Sequence, residues 1–176
     1  MLYTGAGDDG KTKTFGCDQQ RISKSSELPE ALGALDELNA FLGFVKVRAG
    51  EGRIAGALRD AQEVLFIIQA GIAGADKRLG AHVLPQTEEL IGSIEKEIPP
   101  ITGFSIAGGT ELSALLDVAR TLARRAERRL IALEGAGVAD VPPETKSFMN
   151  RLSSLLFALA RLANHQAGVA EETPRY

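Results

Sequence analysis

Arginine is the residue type best equipped for chemistry in this chain, and it is concentrated in one stretch. In Ala119-Arg120-Thr121-Leu122-Ala123-Arg124-Arg125-Ala126-Glu127-Arg128-Arg129, Arg120, Arg124, Glu127 and Arg128 recur at i, i+4, i+7 and i+8. At about 100° per residue they share one side of a helix placed at 110–134. Guanidinium groups are permanently charged and present forked donors that fit phosphate or carboxylate oxygens. Leu112, Leu115, Ala119, Leu122, Ala126, Leu130 and Leu133 form the opposing apolar stripe. From this helix alone two readings stand: an anion-gripping face, or a solvated basic face dotted with ion pairs.

A second concentration lies near the start. Gly5-Ala6-Gly7-Asp8-Asp9-Gly10-Lys11-Thr12 matches the written pattern of a phosphate-binding P-loop. That loop works only after a buried strand and at the head of a helix. Only four residues precede Gly5, and Phe15-Gly16-Cys17-Asp18 shows no helical period, so the P-loop fold is rejected. With Lys11, Thr12, Arg21 and Lys24 the segment can still wrap a polyphosphate; the alternative is a disordered polar terminus. On a first helix, Asp36 and Asn39 share a face at i, i+3. A carboxylate there could hold an arginine of the fourth helix, or be simply exposed.

Other chemistry finds little support. His82 and His165 lie far apart, in no metal-ligand pattern, and His165 reads as a helix-end residue. Ser153 and Ser154 have no base at helical spacing. Cys17 is alone, which leaves no disulfide framework or cysteine-based metal site and an ordinary thiol.

The elements that must position these groups are helical. Residues 1–25 read as a loop. Ser25 or Ser26 can cap a first helix reaching about Arg48, with Pro29 in its first turn. Its buried set is Leu32, Leu35, Leu38, Phe41, Leu42 and Val45. A second helix spans 53–76 and weakens at Gly71 and Gly74. Thr87 can cap a third, 88–98, which ends at Pro99-Pro100. A glycine-rich loop, 99–109, leads to the arginine helix. A fifth, 144–167, buries Phe148, Leu152, Leu155, Leu156, Leu159 and Leu162, and the tail from Gly168 is expected to fray. Five helices with short connections and no alternating strand predict an all-α, antiparallel bundle.

Composition agrees. In 176 residues, 44% are apolar and only 5% aromatic, with a formal charge of −3. The length suits one domain with a full core. The charge argues against a general nucleic-acid or membrane binder. With no signal-peptide pattern and no apolar run of ~20 residues, a cytoplasmic protein is expected.

Taken in order, the segments resemble the ATP:cob(I)alamin adenosyltransferases of the propanediol-utilisation type. The matching stretches begin with Tyr3-Thr4 and Gly7-Asp8-Asp9-Gly10-Lys11-Thr12, then Arg21-Ile22-Ser23-Lys24. Next come Gly33-Ala34-Leu35-Asp36-Glu37-Leu38-Asn39-Ala40, Gly103-Phe104 and Gly108-Gly109-Thr110. Val118-Ala119-Arg120 through Glu127-Arg128 and Asn150-Arg151-Leu152-Ser153 through Asn164-His165 complete the set. Singly each is weak; their order along nearly the whole chain makes the resemblance specific.

The resemblance implies one adenosyltransferase domain over 1–176, of ferritin-like five-helix type. Within it lie a nucleotide-binding loop (1–25), the bundle (26–167) and a tail (168–176). It implies a homotrimer with sites between subunits. The implied reaction moves the 5′-deoxyadenosyl group of ATP to the cobalt of reduced cobalamin, with triphosphate leaving and Mg²⁺ assisting. The loop with Thr4, Gly5, Gly7, Lys11, Thr12, Arg21 and Lys24 would hold the triphosphate, with Arg124, Glu127 and Asn150 as further ATP contacts. Arg120 would pair with Asp36, and Asp36, Asn39 and Phe104 would face cobalamin, Phe104 excluding cobalt's lower ligand. A cobalamin reductase and a B12-dependent enzyme are the implied partners. Two positions depart from the family pattern: Gly5-Ala6 stands where Arg-Thr is common, and Ala107 where proline is. The competing reading is a non-catalytic trimer binding nucleotide or corrinoid as a sensor or chaperone.

Overall fold

The computed structural model describes residues 3–15 and 20–176. Five helices carry the chain: α1 (Glu27–Ala49), α2 (Arg53–Ile72), α3 (Val83–Glu97), α4 (Glu111–Gly135) and α5 (Pro143–Gln166). They pack in the lateral order α2–α1–α4–α5–α3, and α2 also touches α5. Ion pairs show α1 and α4 to be antiparallel. Arg48 at the end of α1 meets Glu111 at the start of α4, while Glu37 and Glu30 meet Arg125 and Arg129 farther along.

The core is aliphatic. Leu35, Leu38, Leu42, Leu58, Leu65, Leu116, Leu130, Leu133, Leu152 and Leu156 are fully buried. Burying each such side chain contributes about 1.5–3 kcal/mol before entropy is counted. On α4 the buried stripe is Leu116, Ala119, Ala123, Ala126, Leu130 and Leu133, while Leu112, Leu115 and Leu122 sit half-buried at its edges. On α1, Leu32 and Phe41 are likewise peripheral.

Several boundaries differ from the periodicity. Helix α3 begins at Val83, not at 88, because Pro85 fits its first turn, where a missing N–H costs nothing. Thr87 therefore lies inside the helix, and its hydroxyl donates to the Val83 carbonyl (2.8 Å). Helix α2 stops at Ile72, short of 76, and Gly74 follows at φ +101°. Ser26 does occupy the N-cap of α1, but its hydroxyl donates to the Ser23 carbonyl (2.7 Å) and caps no helix amide. Thr110 does cap α4, accepting from the Ser113 N–H at 3.1 Å.

The N-terminal segment contains a strand pair that alternation could not reveal. β1 (Lys11–Thr12) runs antiparallel to β2 (Ile22–Ser23), with Lys11 opposite Ser23. Cys17, read as an ordinary thiol, lies outside the described residues. No described helix is long and apolar enough to cross a membrane.

The tail is not frayed. Glu172 accepts a backbone hydrogen bond from Ile106 (2.8 Å), and Glu171 pairs with Arg161 (2.7 Å).

Candidate functional site: a helix-walled cleft and a cationic loop

The sequence-singled residues fall into two groups. The first lines a cleft of about 610 Å³ between α4, α5 and the 99–109 loop. Arg120 and Arg124 come from α4, Ser153, Ser154 and Phe157 from α5, and Ile101, Gly103, Phe104 and Ser105 from the loop. Phe104 is 78% exposed; packing gives it no reason to be there. The Arg120 guanidinium lies over the Phe157 ring, 6.0 Å from its centroid. Its Nε donates to Asp117 at 2.9 Å, which fixes the arginine while leaving other N–H groups available. Arg124, one turn on, is exposed. Another turn along, Asn150 of α5 approaches Glu127 at 3.4 Å. A flat apolar ring, one held cation and one exposed cation thus share one opening. A smaller, more enclosed hollow near Lys77 and Lys146 contains none of these residues.

The loop bearing Phe104 ends in a built turn. Gly109 has φ +102°, and a Cβ there would come within 2.5 Å of the Asn164 side chain. Asn164 is buried, accepts from the Thr110 N–H (2.9 Å) and donates to the Gly108 carbonyl (2.9 Å). Only glycine meets both demands at position 109. Ala107, in place of the common proline, leaves that anchor in place.

The second group is the N-terminal loop, in which Arg21 and Lys24 are occupied. Arg21 forms a two-pronged pair with Asp9 (2.6 and 2.8 Å) and also donates to the carbonyls of Ala6 and Lys11. Lys24 donates to the Gly7 carbonyl at 2.8 Å. A Cβ at Gly7 would sit 2.9 Å from that ammonium. Thr4 accepts from the Ala6 N–H (3.3 Å), and Gly5 turns the chain at φ +69°. The Arg21 guanidinium, helped by the Lys11 N–H, holds the Asp9 carboxyl below its ordinary value of 3.8.

Two expected contacts are not made within the chain. Asp36 is exposed on α1, and Arg120 pairs with Asp117 instead of with it. Asn39 is buried against α2, where Gln62 donates to its carbonyl (2.9 Å), away from Phe104. The reason is helical phase. Arg120 and Arg129, nine residues apart, are about half a turn out of step. The α1-facing flank of α4 is therefore taken by Arg125 and Arg129, while Arg120 faces the α5 cleft. Sequence reasoning also missed Asp117, Phe157 and Arg161. Arg161 had a signal: it is the one charged residue in the apolar run Leu155–Ala163.

The chain matches the cobalamin adenosyltransferase family over residues 2–163 and belongs to it. It is 35% identical over 173 residues to the corrinoid adenosyltransferase PduO of Citrobacter freundii, covering 94% of this chain and 50% of that protein. The chain thus spans about half the length of that PduO relative. A shorter corrinoid adenosyltransferase of the same organism is 35% identical over 168 residues, covering 92% of this chain and 93% of the relative. Among solved structures, a variant PduO-type ATP:corrinoid adenosyltransferase from Lactobacillus reuteri, complexed with cobalamin and ATP, superposes with a TM-score of 0.89. It is 28% identical, with 99% of this chain and 97% of that one covered.

Proposed function

We propose that residues 1–176 act as one domain that transfers the 5′-deoxyadenosyl group of ATP to the cobalt of reduced cobalamin. Cobalt(I) attacks carbon 5′, a cobalt–carbon bond forms, the carbon–oxygen bond to the triphosphate breaks, and triphosphate leaves with the electron pair. Cobalt(I) is itself the nucleophile, so no protein base is required. What the protein must supply is alignment and stabilisation of the departing charge. The observation that carries this reading is the cleft in which Phe104 stands with Arg120 and Arg124. Arg124 would meet the polyphosphate, with Glu127 and Asn150 holding the nucleoside. Phe104 would occupy the lower face of cobalt and exclude an axial ligand, which makes the metal easier to reduce.

Thr4, Gly5, Gly7, Lys11, Thr12, Arg21 and Lys24 would close over the triphosphate, whose charge competes with Asp9 for Arg21. The described residues contain no group of three or more His, Cys, Asp or Glu able to build an all-protein metal site. Mg²⁺ would enter on the substrate phosphates, which supply oxygen ligands of their own.

We infer further that the site is shared between subunits of a homotrimer. The loop leads into α1, whereas the cleft lies on the α5 side of α4, so one chain leaves the halves apart. Exposed Phe44, Val47, Phe66, Val118 and Ile131 offer apolar surface for such packing. Across that interface Asp36 would find Arg120, with Asn39 behind it. The setting we propose is cytoplasmic, with a cobalamin reductase upstream and a B12-dependent enzyme downstream.

The test mixes the protein with ATP, Mg²⁺ and chemically reduced cobalamin and follows the optical spectrum. The expected result is an ATP-dependent cobalt–carbon product. Tight binding of both substrates without that product would instead favour the sensor or chaperone reading.

A further inference from the structure

Phe104 stands on a loop that contributes almost nothing to the core: Ile101, Phe104 and Ile106 are 59%, 78% and 52% exposed. Hydrophobic burial therefore does not set its position. Hydrogen bonds near its ends and middle do: Ser113 of α4 donates to the Gly108 carbonyl (3.0 Å), and the others come from the end of α5 or the tail beyond it. Asn164 holds the exit at Gly108 and Thr110. One turn earlier on α5, Arg161 Nη2 donates to the Pro99 carbonyl (2.9 Å), where the loop leaves α3. Between them, the tail's Glu172 carbonyl accepts from the Ile106 N–H (2.8 Å).

Arg161 joins these ties. Its side chain is 9% exposed, and its Nε donates to Glu171 of the tail at 2.7 Å. A guanidinium withdrawn from water is costly unless paired and hydrogen-bonded. Here the tail supplies the carboxylate and the loop supplies the carbonyl, so neither can leave without exposing the other's partner. Leu159, Leu162 and Ala163 are buried beside it on α5, and Asn164 is taken up by Gly108 and Thr110, so they offer no substitute.

We propose that Arg161 is a positioning residue for Phe104, and that the tail segment at Glu171–Glu172 is the strap through which it acts. The strap fixes how far Phe104 projects over the cleft, and thereby how well the lower face of a bound corrinoid is closed. This rests on the function proposed above, but the strap itself is separately measurable.

Two substitutions test it. Glu171→Ala removes the carboxylate from Arg161 but leaves every core side chain in place, and the freed tail lets water reach the guanidinium, so the melting temperature should fall only slightly. Arg161→Met removes the buried charge while keeping an apolar stem. Amide hydrogen exchange, read without substrates, should quicken at Ile106 and across 99–109 in both variants and stay unchanged in α1 and α4. In turnover, both should lose about tenfold in kcat/KM for cobalamin, the scale of one lost charge-assisted hydrogen bond, with KM for ATP unchanged. Bound cob(II)alamin should shift toward the spectrum of the form that keeps its lower ligand. A residue serving only stability would lower the melting temperature and affect both substrates alike. Unaltered loop exchange in folded Glu171→Ala overturns the strap whatever the activity. Quickened exchange in the variants, together with a wild type that makes no cobalt–carbon product, leaves the strap standing and removes the adenosyltransferase reading.

Discussion

The α4–α5 cleft and the N-terminal loop carry similar cations in opposite conditions. In the cleft, Arg120 is held by Asp117 and Phe157 on two packed helices, and Arg124 points free. In the loop, Arg21 and Lys24 are spent on Asp9 and on the loop's own carbonyls, within a ladder of two residue pairs. Helices buried through ten or more leucines fix charge before substrate arrives. A short ladder can hold charge only by satisfying it internally, so ligand must displace those bonds. In the function proposed above, the cleft would align the reactants and the loop would close over the triphosphate.

The largest effect should come from the pre-aligned half. Arg124→Ala leaves no core cavity, because its side chain is exposed. Loss of its charge from the transition state should cost about 3 kcal/mol or more, over a hundredfold in turnover. Unchanged circular dichroism with near-normal turnover would remove Arg124 from the site.

Next is the link between the two halves. Asp36→Asn and Arg120→Ala should each damage turnover, with the double variant little worse than either, a coupling of about 1–3 kcal/mol. Within one chain they do not touch, so any coupling must arise in the oligomer. A coupling energy near zero would mean that the first and fourth helices do not build the site together.

The smallest effect concerns the loop alone. Asp9 is held below its ordinary value of 3.8 by Arg21. A carboxyl with a lowered folded value contributes order above its unfolded value and loses it as pH falls through the folded one. The Asp9–Arg21 pair should therefore be independent of pH from about 5 to 8 and break only below about 3.8. Nuclear magnetic resonance of the Arg21 side chain during titration checks this; a transition near neutrality would contradict it.

Most of the helical layout was legible because apolar spacing is a direct record of burial. Leu35, Leu38 and Leu42 announce α1, and Ala119, Ala126, Leu130 and Leu133 announce α4. What periodicity could not supply was anything decided by a single contact. Pro85 hid the start of α3, since proline marks a break in one register and a first turn in another. The β1–β2 ladder is too short to alternate. The tail looked loose because its order depends on one arginine, buried in a helix from which sequence pattern alone would turn it outward. Among the proposed site residues, Arg120, Arg124 and Phe104 line one cleft, while Asn150 and Glu127 meet each other outside its lining. The pairing of Asp36 with Arg120 was drawn from resemblance, and helical phase denies it within one chain.

The central claim is that loop and cleft work together only when contributed by different subunits. Co-expression of an Arg21→Ala/Lys24→Ala variant with an Arg124→Ala variant tests it most directly. Each alone should be inactive. Mixed trimers purified through two affinity tags should recover about a third of the sites expected of the wild type, since every trimer containing both variants joins an intact loop to an intact cleft at one of its three interfaces. Mixed oligomers with no activity above the parents would contradict a shared site.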